Sequence, residues 1–252
     1  MIGRQEPFYQ THWQNILFKD INITLTNKLP TSDFYSAFYK FLFKRYSKYE
    51  ELPKNWLLQK KDSAENIKFF LKKQDLILSY GCGLGYVEHL LNKENFNLNV
   101  FDFSSISTEW LINRNKNINR LNKLTGKYDC IYLQQVLYSM EYEDCVELIK
   151  KLGDNLNNTG KIILINTSSN PIQNGFTFKN IFYYIKNIIR PLYHFLIRNK
   201  NNNDLSTKQF WGWNRNNLCY ISMALDSKMK IIKIFAPINR SNESYILLGK
   251  NT

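Results

Sequence analysis

The chain has 252 residues, with 34 Lys and Arg against 21 Asp and Glu, a formal net charge of +13. Hydrophobic residues at 44% and aromatics at 15% exclude a disordered chain, and the length suits one or two domains at roughly 150 residues each. Four scattered cysteines (Cys82, Cys130, Cys145, Cys219), no CxxC pair and three histidines argue against a disulfide scaffold and against a metal site.

The opening segment, MIGRQEPFYQTHWQN, has no apolar signal core. No run of about 18 apolar residues occurs. The expected address is cytoplasmic, with reduced thiols. The positive charge points to an anionic partner: nucleic acid, a phosphorylated small molecule or a lipid surface. Lys and Asn are abundant throughout, as in the run 199–203, so part of that charge is composition bias.

Residues 1–75 read as a mostly helical, aromatic extension. Pro30-Thr31-Ser32-Asp33 is a helix start ahead of the apolar face Phe34, Tyr35, Phe38, Tyr39, Phe41, Leu42 and Tyr46. Pro53 breaks that pattern, and a second helix is predicted over 63–73. Residues 76–252 form the second unit. Its first part alternates strands at 76–80, 98–101, 128–133 and 161–165 with helices at 86–93 and 146–156. That alternation implies a parallel sheet with right-handed crossovers. The interval from Asp102 to Asp129 leaves room for a short third strand at most, near 117–120. A basic aromatic helix pair is expected at 178–198, within an insertion spanning 176–200. A helix near 215–227 and strands at 230–235 and 244–248 close the chain, with an antiparallel ending.

The sharpest feature is Ser79-Tyr80-Gly81-Cys82-Gly83-Leu84-Gly85-Tyr86, between an apolar strand and a helix. Glycines there let the backbone turn tightly and approach a ligand, while helix N–H groups point at it. A dinucleotide fingerprint needs glycine where Tyr86 stands, so the GxGxG spacing fits a different ligand. Asp102 ends the next strand, placed to accept hydrogen bonds from ribose hydroxyls, and Phe103 can lie against an adenine face.

Here a family resemblance enters. Ile77 to Gly85 resembles the first motif of class I S-adenosylmethionine-dependent methyltransferases, and Val100-Phe101-Asp102 their second. Lys127 to Tyr138 resembles their fourth-strand motif, and Gly160 to Ile165 their fifth strand. The resemblance implies a Rossmann-like α/β fold with a mostly parallel sheet, and S-adenosylmethionine as cofactor. It also implies that Gly81, Cys82, Gly83 and Gly85 contact the methionine and adenosine portions, Asp102 the ribose, and Gln134 and Gln135 the floor of the transfer site. Ser79 stands where the family has an acid serving the methionine amino group, which puts affinity in doubt.

Methyl transfer from a sulfonium is an in-line displacement, so the protein mainly positions its reactants. A neutral hydroxyl acceptor needs a base; an anionic oxygen needs positioning and positive charge. His12, in the aromatic stretch with Tyr9 and Trp13, is a candidate base under a lid, or a packed surface histidine. Tyr138 is a candidate lining the acceptor pocket. Glu141, Glu143 and Asp144 follow the fourth strand and either act on the acceptor or cap a helix. Trp211, Trp213 and Arg215 form an acceptor platform and anion clamp, or core aromatics capping the sheet. This run and the N-terminal aromatics resemble methyltransferases of bacterial capsule and surface-polysaccharide gene clusters. The reading is therefore O-methylation of a small anionic acceptor, a sugar or phosphoryl precursor. Nucleic acid is the weaker partner, since no RNA-binding module is recognisable. The 178–198 segment is either an acceptor lid or a peripheral contact with the inner membrane.

Overall fold

A computed structural model describes residues 3, 5–167, 208–236 and 243–251. The helix pair expected at 178–198 lies outside the described residues.

Strand β4 (Leu76–Tyr80) forms where it was expected, and α3 (Tyr86–Lys93) follows the glycine turn. Next come β5 (Asn97–Phe101), α4 (Ser105–Ile112), the short β6 (Ile118–Arg120), β7 (Tyr128–Gln134), α5 (Tyr142–Asp154) and β8 (Leu156–Thr167). Then come β9 (Gln209–Arg215), α6 (Asn217–Asp226), β10 (Lys230–Phe235) and β11 (Glu243–Gly249). The seven-stranded sheet has the order β10-β11-β8-β7-β4-β5-β6. The strands from β8 to β6 are parallel, and β11 lies antiparallel to both β8 and β10. Chain order reverses at β4, with β5 on one side and β7 on the other. Ligands of open α/β sheets bind in the crevice at that point, beyond the carboxyl ends of the strands.

Strand alternation divides the core between the two faces. Ile77, Leu98, Val100 and Tyr132 pack with Ile67, Val87 and Leu91 on one side. Leu78, Ile131, Leu133 and Leu164 pack with Leu148, Ile149, Tyr220 and Met223 on the other. Burial on both faces explains why these strands read as continuous apolar runs.

The extension departs from the helical expectation. Residues 5–17 form strands: β1 (Gln5–Gln10), β2 (His12–Trp13) and β3 (Ile16–Leu17). β1 pairs antiparallel with β9, from Gln5 opposite Arg215 to Gln10 opposite Gln209. A strand whose partner lies some 200 residues away has no local signal. Helix α1 (Ser32–Arg45) starts at its expected cap, with Thr31 Oγ1 accepting from the Phe34 N–H at 3.3 Å. Helix α2 (Lys54–Lys68) begins directly after Pro53, nine residues earlier than predicted, because proline suits a helix entry. Helix α5 also starts early, so its first turn carries Glu143 and Asp144. Phe38, Leu42, Phe18 and Ile16 share a third apolar cluster with Leu84, Trp110 and Trp211. The extension therefore packs as a roof over the glycine-turn end of the sheet. Among the described residues no helix is long and apolar enough to cross a membrane.

Arg215 fastens this roof. It is 0% exposed. Its Nε donates to Gln5 Oε1 at 2.7 Å, Nη1 to the Leu137 carbonyl at 2.6 Å and Nη2 to the Met140 carbonyl at 2.8 Å. One side chain thus joins β1 and β9 to the segment after β7. Arg215→Leu would leave buried acceptors unpaired, each costing about 1–3 kcal/mol. The expected outcome is a fall of roughly 3 kcal/mol in unfolding free energy, read as a lower urea midpoint. An unchanged midpoint would contradict the fastening role.

Candidate active site

The chain turns from β4 into α3 over Gly81 to Gly85. The Gly81 N–H donates to the Phe101 carbonyl at 2.7 Å, and the Gly85 N–H to the Cys82 carbonyl at 2.9 Å. Gly85 has φ +69°, and a Cβ there would meet Leu111 Cδ1 at 2.6 Å. Glycine is required both for the left-handed turn and for the close approach of α4.

Asp102 locks the turn to the end of β5. Its Oδ2 accepts from the Gly83 N–H at 2.8 Å and its Oδ1 from the Ser104 N–H at 2.9 Å. Burial pushes this carboxyl above the usual range, and the two N–H donors work against that rise. Phe103, 65% exposed, stands beside it, edge-on to Tyr80 with ring centroids 6.4 Å apart.

A cavity of about 860 Å³ opens over the turn. Gly81, Cys82, Gly83, Gly85, Asp102, Phe103, Gln134 and Gln135 line its floor. Gln135 holds a left-handed conformation at φ +57° and donates its backbone N–H to the Ile165 carbonyl at 2.8 Å. Non-glycine residues keep such backbone where the surroundings impose it, often at functional sites. Trp13, Tyr138, Trp211 and Trp213 line the opposite wall. Burial drives the Cys82 thiol up, with Asp102 and Glu88 adding to it.

Four expected site residues are not in the lining. Arg215 spends its donors inward on Gln5, Leu137 and Met140 and is no anion clamp for a ligand in the cavity. His12 is exposed on β2 beside Thr11, with Nδ1 3.1 Å from Thr11 Oγ1. Its neighbour Trp13 takes the inward position, as strand alternation requires. Tyr9 is 39% exposed and packs on Phe210, outside the lining. Ser79 is buried behind Glu88 and donates to Glu88 Oε1 at 2.6 Å.

The cavity also holds groups that the motifs did not mark. Tyr35 and Tyr39, on α1, line it. Burial raises both phenols well above their ordinary range, with Asp102 adding to the rise. Burial pushes Tyr138 up to about 12, against hydrogen bonding from Trp211 and Tyr35. Glu88 and Lys60 also line the cavity, as does Asp144, one of the three acids expected after the fourth strand. The available signal for Glu88 was an acid amid the apolar face of α3, Val87, Leu90 and Leu91, three residues past the turn.

The floor fits the adenosine and methionine portions of S-adenosylmethionine. A turn with glycine at three of its five positions admits close approach, and Asp102 and Phe103 border the same floor with a carboxylate and an aromatic face suited to a ribose and an adenine. The buried amide nitrogens of Gln134 and Gln135 have no hydrogen-bond partner among the described residues, which suits a polar ligand at this floor.

A family model described as "Methyltransferase domain" matches residues 45–220. A search of curated protein sequences finds no match. Among solved structures, a putative O-methyltransferase from Nostoc punctiforme PCC 73102 superposes with a TM-score of 0.55 at 14% identity, over 77% of this chain and 60% of that one. Magnesium protoporphyrin IX methyltransferase (ChlM) from Synechocystis PCC 6803, solved with bound SAH, gives 0.51 at 11% identity, over 77% and 83%. Human N-acetylserotonin methyltransferase in complex with SAM gives 0.53 at 13% identity, over 88% and 57%. At these identities the structures share the fold. The glycine turn, the acid after β5 and the family match agree: the chain belongs to the methyltransferase-domain family and is an S-adenosylmethionine-dependent methyltransferase of the Rossmann-like class.

Proposed function

We propose that the chain O-methylates a sugar-type acceptor, a precursor of a bacterial capsular or surface polysaccharide. One observation carries the acceptor class. The buried atoms Gln10 Oε1 and Trp213 Nε1 have no hydrogen-bond partner among the described residues, and both residues line the cavity. Buried polar atoms without partners cost free energy, so a ligand that pairs them is favoured. Around them stand the rings of Phe8, Trp13, Tyr35 and Trp211. Aromatic faces beside an amide acceptor and an indole donor suit a ring that carries hydroxyls on an apolar skeleton.

Charge narrows the reading. The described lining includes Lys60 as its one cation, against Glu88, Asp102 and Asp144. A sugar hydroxyl therefore fits these walls better than a phosphoryl oxygen does. A phosphoryl group on the same precursor would find its described counter-charge at Lys60.

The cofactor supplies an electrophilic methyl on a sulfonium. This chain's residues hold the reactants in line and manage the acceptor proton. The aromatic wall excludes water and favours the cationic donor. A phenol at about 12 keeps its proton at neutral pH, so Tyr138 positions the acceptor as a hydrogen-bond donor. Of the three acids after β7, Asp144 lines the cavity and Glu141 and Glu143 do not. Asp144 is the group assigned to take the acceptor proton.

Radiolabelled methyl transfer to sugars, sugar phosphates and nucleotide sugars tests the acceptor. Incorporation into RNA alone would overturn the proposal. Trp213→Ala is expected to raise the acceptor KM about tenfold with kcat little changed, since it removes ground-state binding. Asp144→Asn is expected to lower kcat by about 10²-fold, whereas Tyr138→Phe lowers it by less than about tenfold and leaves the kcat profile between pH 6 and 9 unshifted. A reversed order of those two effects would remove Asp144 from the role of base.

A further inference from the structure

Glu88 is a buried carboxylate in the cavity wall with no ion-pair partner among the described residues. It is 3% exposed, on the first turn of α3. Its Oε1 accepts from Ser79 Oγ at 2.6 Å and from the Tyr132 hydroxyl at 2.7 Å. Hydroxyl donors that share one carboxylate oxygen favour the ionised form and fix its orientation. Burial works against ionisation and raises the carboxyl above its usual range; Lys60 opposes this as the smallest of the named influences. None of the described ion pairs involves Glu88. A carboxylate withdrawn from water needs a cation, and here the cavity is where one can arrive.

Topology sets where Glu88 stands relative to Asp102. Ser79 lies on β4 and Tyr132 on β7, so Glu88 is held on the β7 side of the glycine turn. Asp102 ends β5, on the other side of β4. A ligand laid across the turn with its ribose at Asp102 reaches toward Glu88 with its far end. Resting on the cofactor assignment above, we infer that Glu88 receives the α-ammonium of the methionine portion of S-adenosylmethionine. In this chain the acid absent from strand position 79 is supplied by the helix, and Ser79 has become its hydrogen-bond donor.

The test is calorimetry on the full chain with two ligands. S-Adenosylhomocysteine carries the ammonium; 5′-methylthioadenosine keeps the nucleoside and thioether but lacks the amino-acid end. Glu88→Gln is expected to weaken S-adenosylhomocysteine roughly 10- to 100-fold while 5′-methylthioadenosine stays within about twofold. The double variant Ser79→Asp with Glu88→Gln returns a carboxylate to the strand and is expected to recover most of the lost affinity. Equal weakening of both ligands, or of neither, would overturn the role of Glu88. Should Glu88→Gln fail to fold, the double variant decides. Tight S-adenosylhomocysteine binding supports the inference, and binding of 5′-methylthioadenosine alone contradicts it. Wild-type protein that binds neither ligand would defeat the cofactor assignment itself, and the Glu88 inference with it.

Discussion

The carboxylate of Asp102 bonds at once to the Gly83 N–H in the turn after β4 and to the Ser104 N–H at the start of α4. Those two bonds hold the carboxyl ends of two parallel strands, and the helices that leave them, in one fixed relation. The Gly81 N–H, bonded to the Phe101 carbonyl, adds a third tie. Every other part of the site is placed relative to this junction. Gly85 lets α4 come close, Phe103 projects from the next residue, and Glu88 stands one helical turn away. The same carboxylate borders the cavity, so its position there is fixed before anything binds.

The second half of the site is a roof from distant sequence. Trp13 stacks on Phe38, with centroids 4.9 Å apart, and Trp211 stacks on Phe18 at 5.0 Å. Trp211 comes from β9 and the other three from the extension, so this aromatic wall exists only once β1 and β9 have paired. Trp211 faces both ways. Its ring is core to the extension, and it also borders the cavity. The expectation of core packing therefore holds for a side chain that also borders the cavity. Arg215 belongs wholly to the structural side of that division.

The parallel sheet was legible because its strands are local apolar runs bounded by turn residues. The 76–80 strand and the 86–93 helix appear with the expected bounds, and the cofactor floor follows from motif spacing that the fold preserves. The rest was illegible for physical reasons. β1 owes its conformation to β9, a partner strand far along the chain, which periodicity within a window of residues cannot register. His12 and Trp13 are adjacent, and only the facing of β2 decides which one reaches the cavity. Glu88 looked like one more helix residue because its meaning lies in Ser79 and Tyr132, on two different strands. Arg215 looked like a ligand clamp because a buried arginine and a binding arginine have the same letter; the carbonyls of Leu137 and Met140 make the difference.

The account turns on the Asp102 junction being a nucleoside site, and calorimetry tests that most directly. Wild-type protein titrated with S-adenosylhomocysteine should bind in the micromolar range, with NAD failing to compete. Asp102→Ala should abolish that binding while the protein stays folded by circular dichroism. Native, folded wild-type protein with no affinity for S-adenosylhomocysteine, or an Asp102→Ala variant that binds it as well as wild type, would contradict the account.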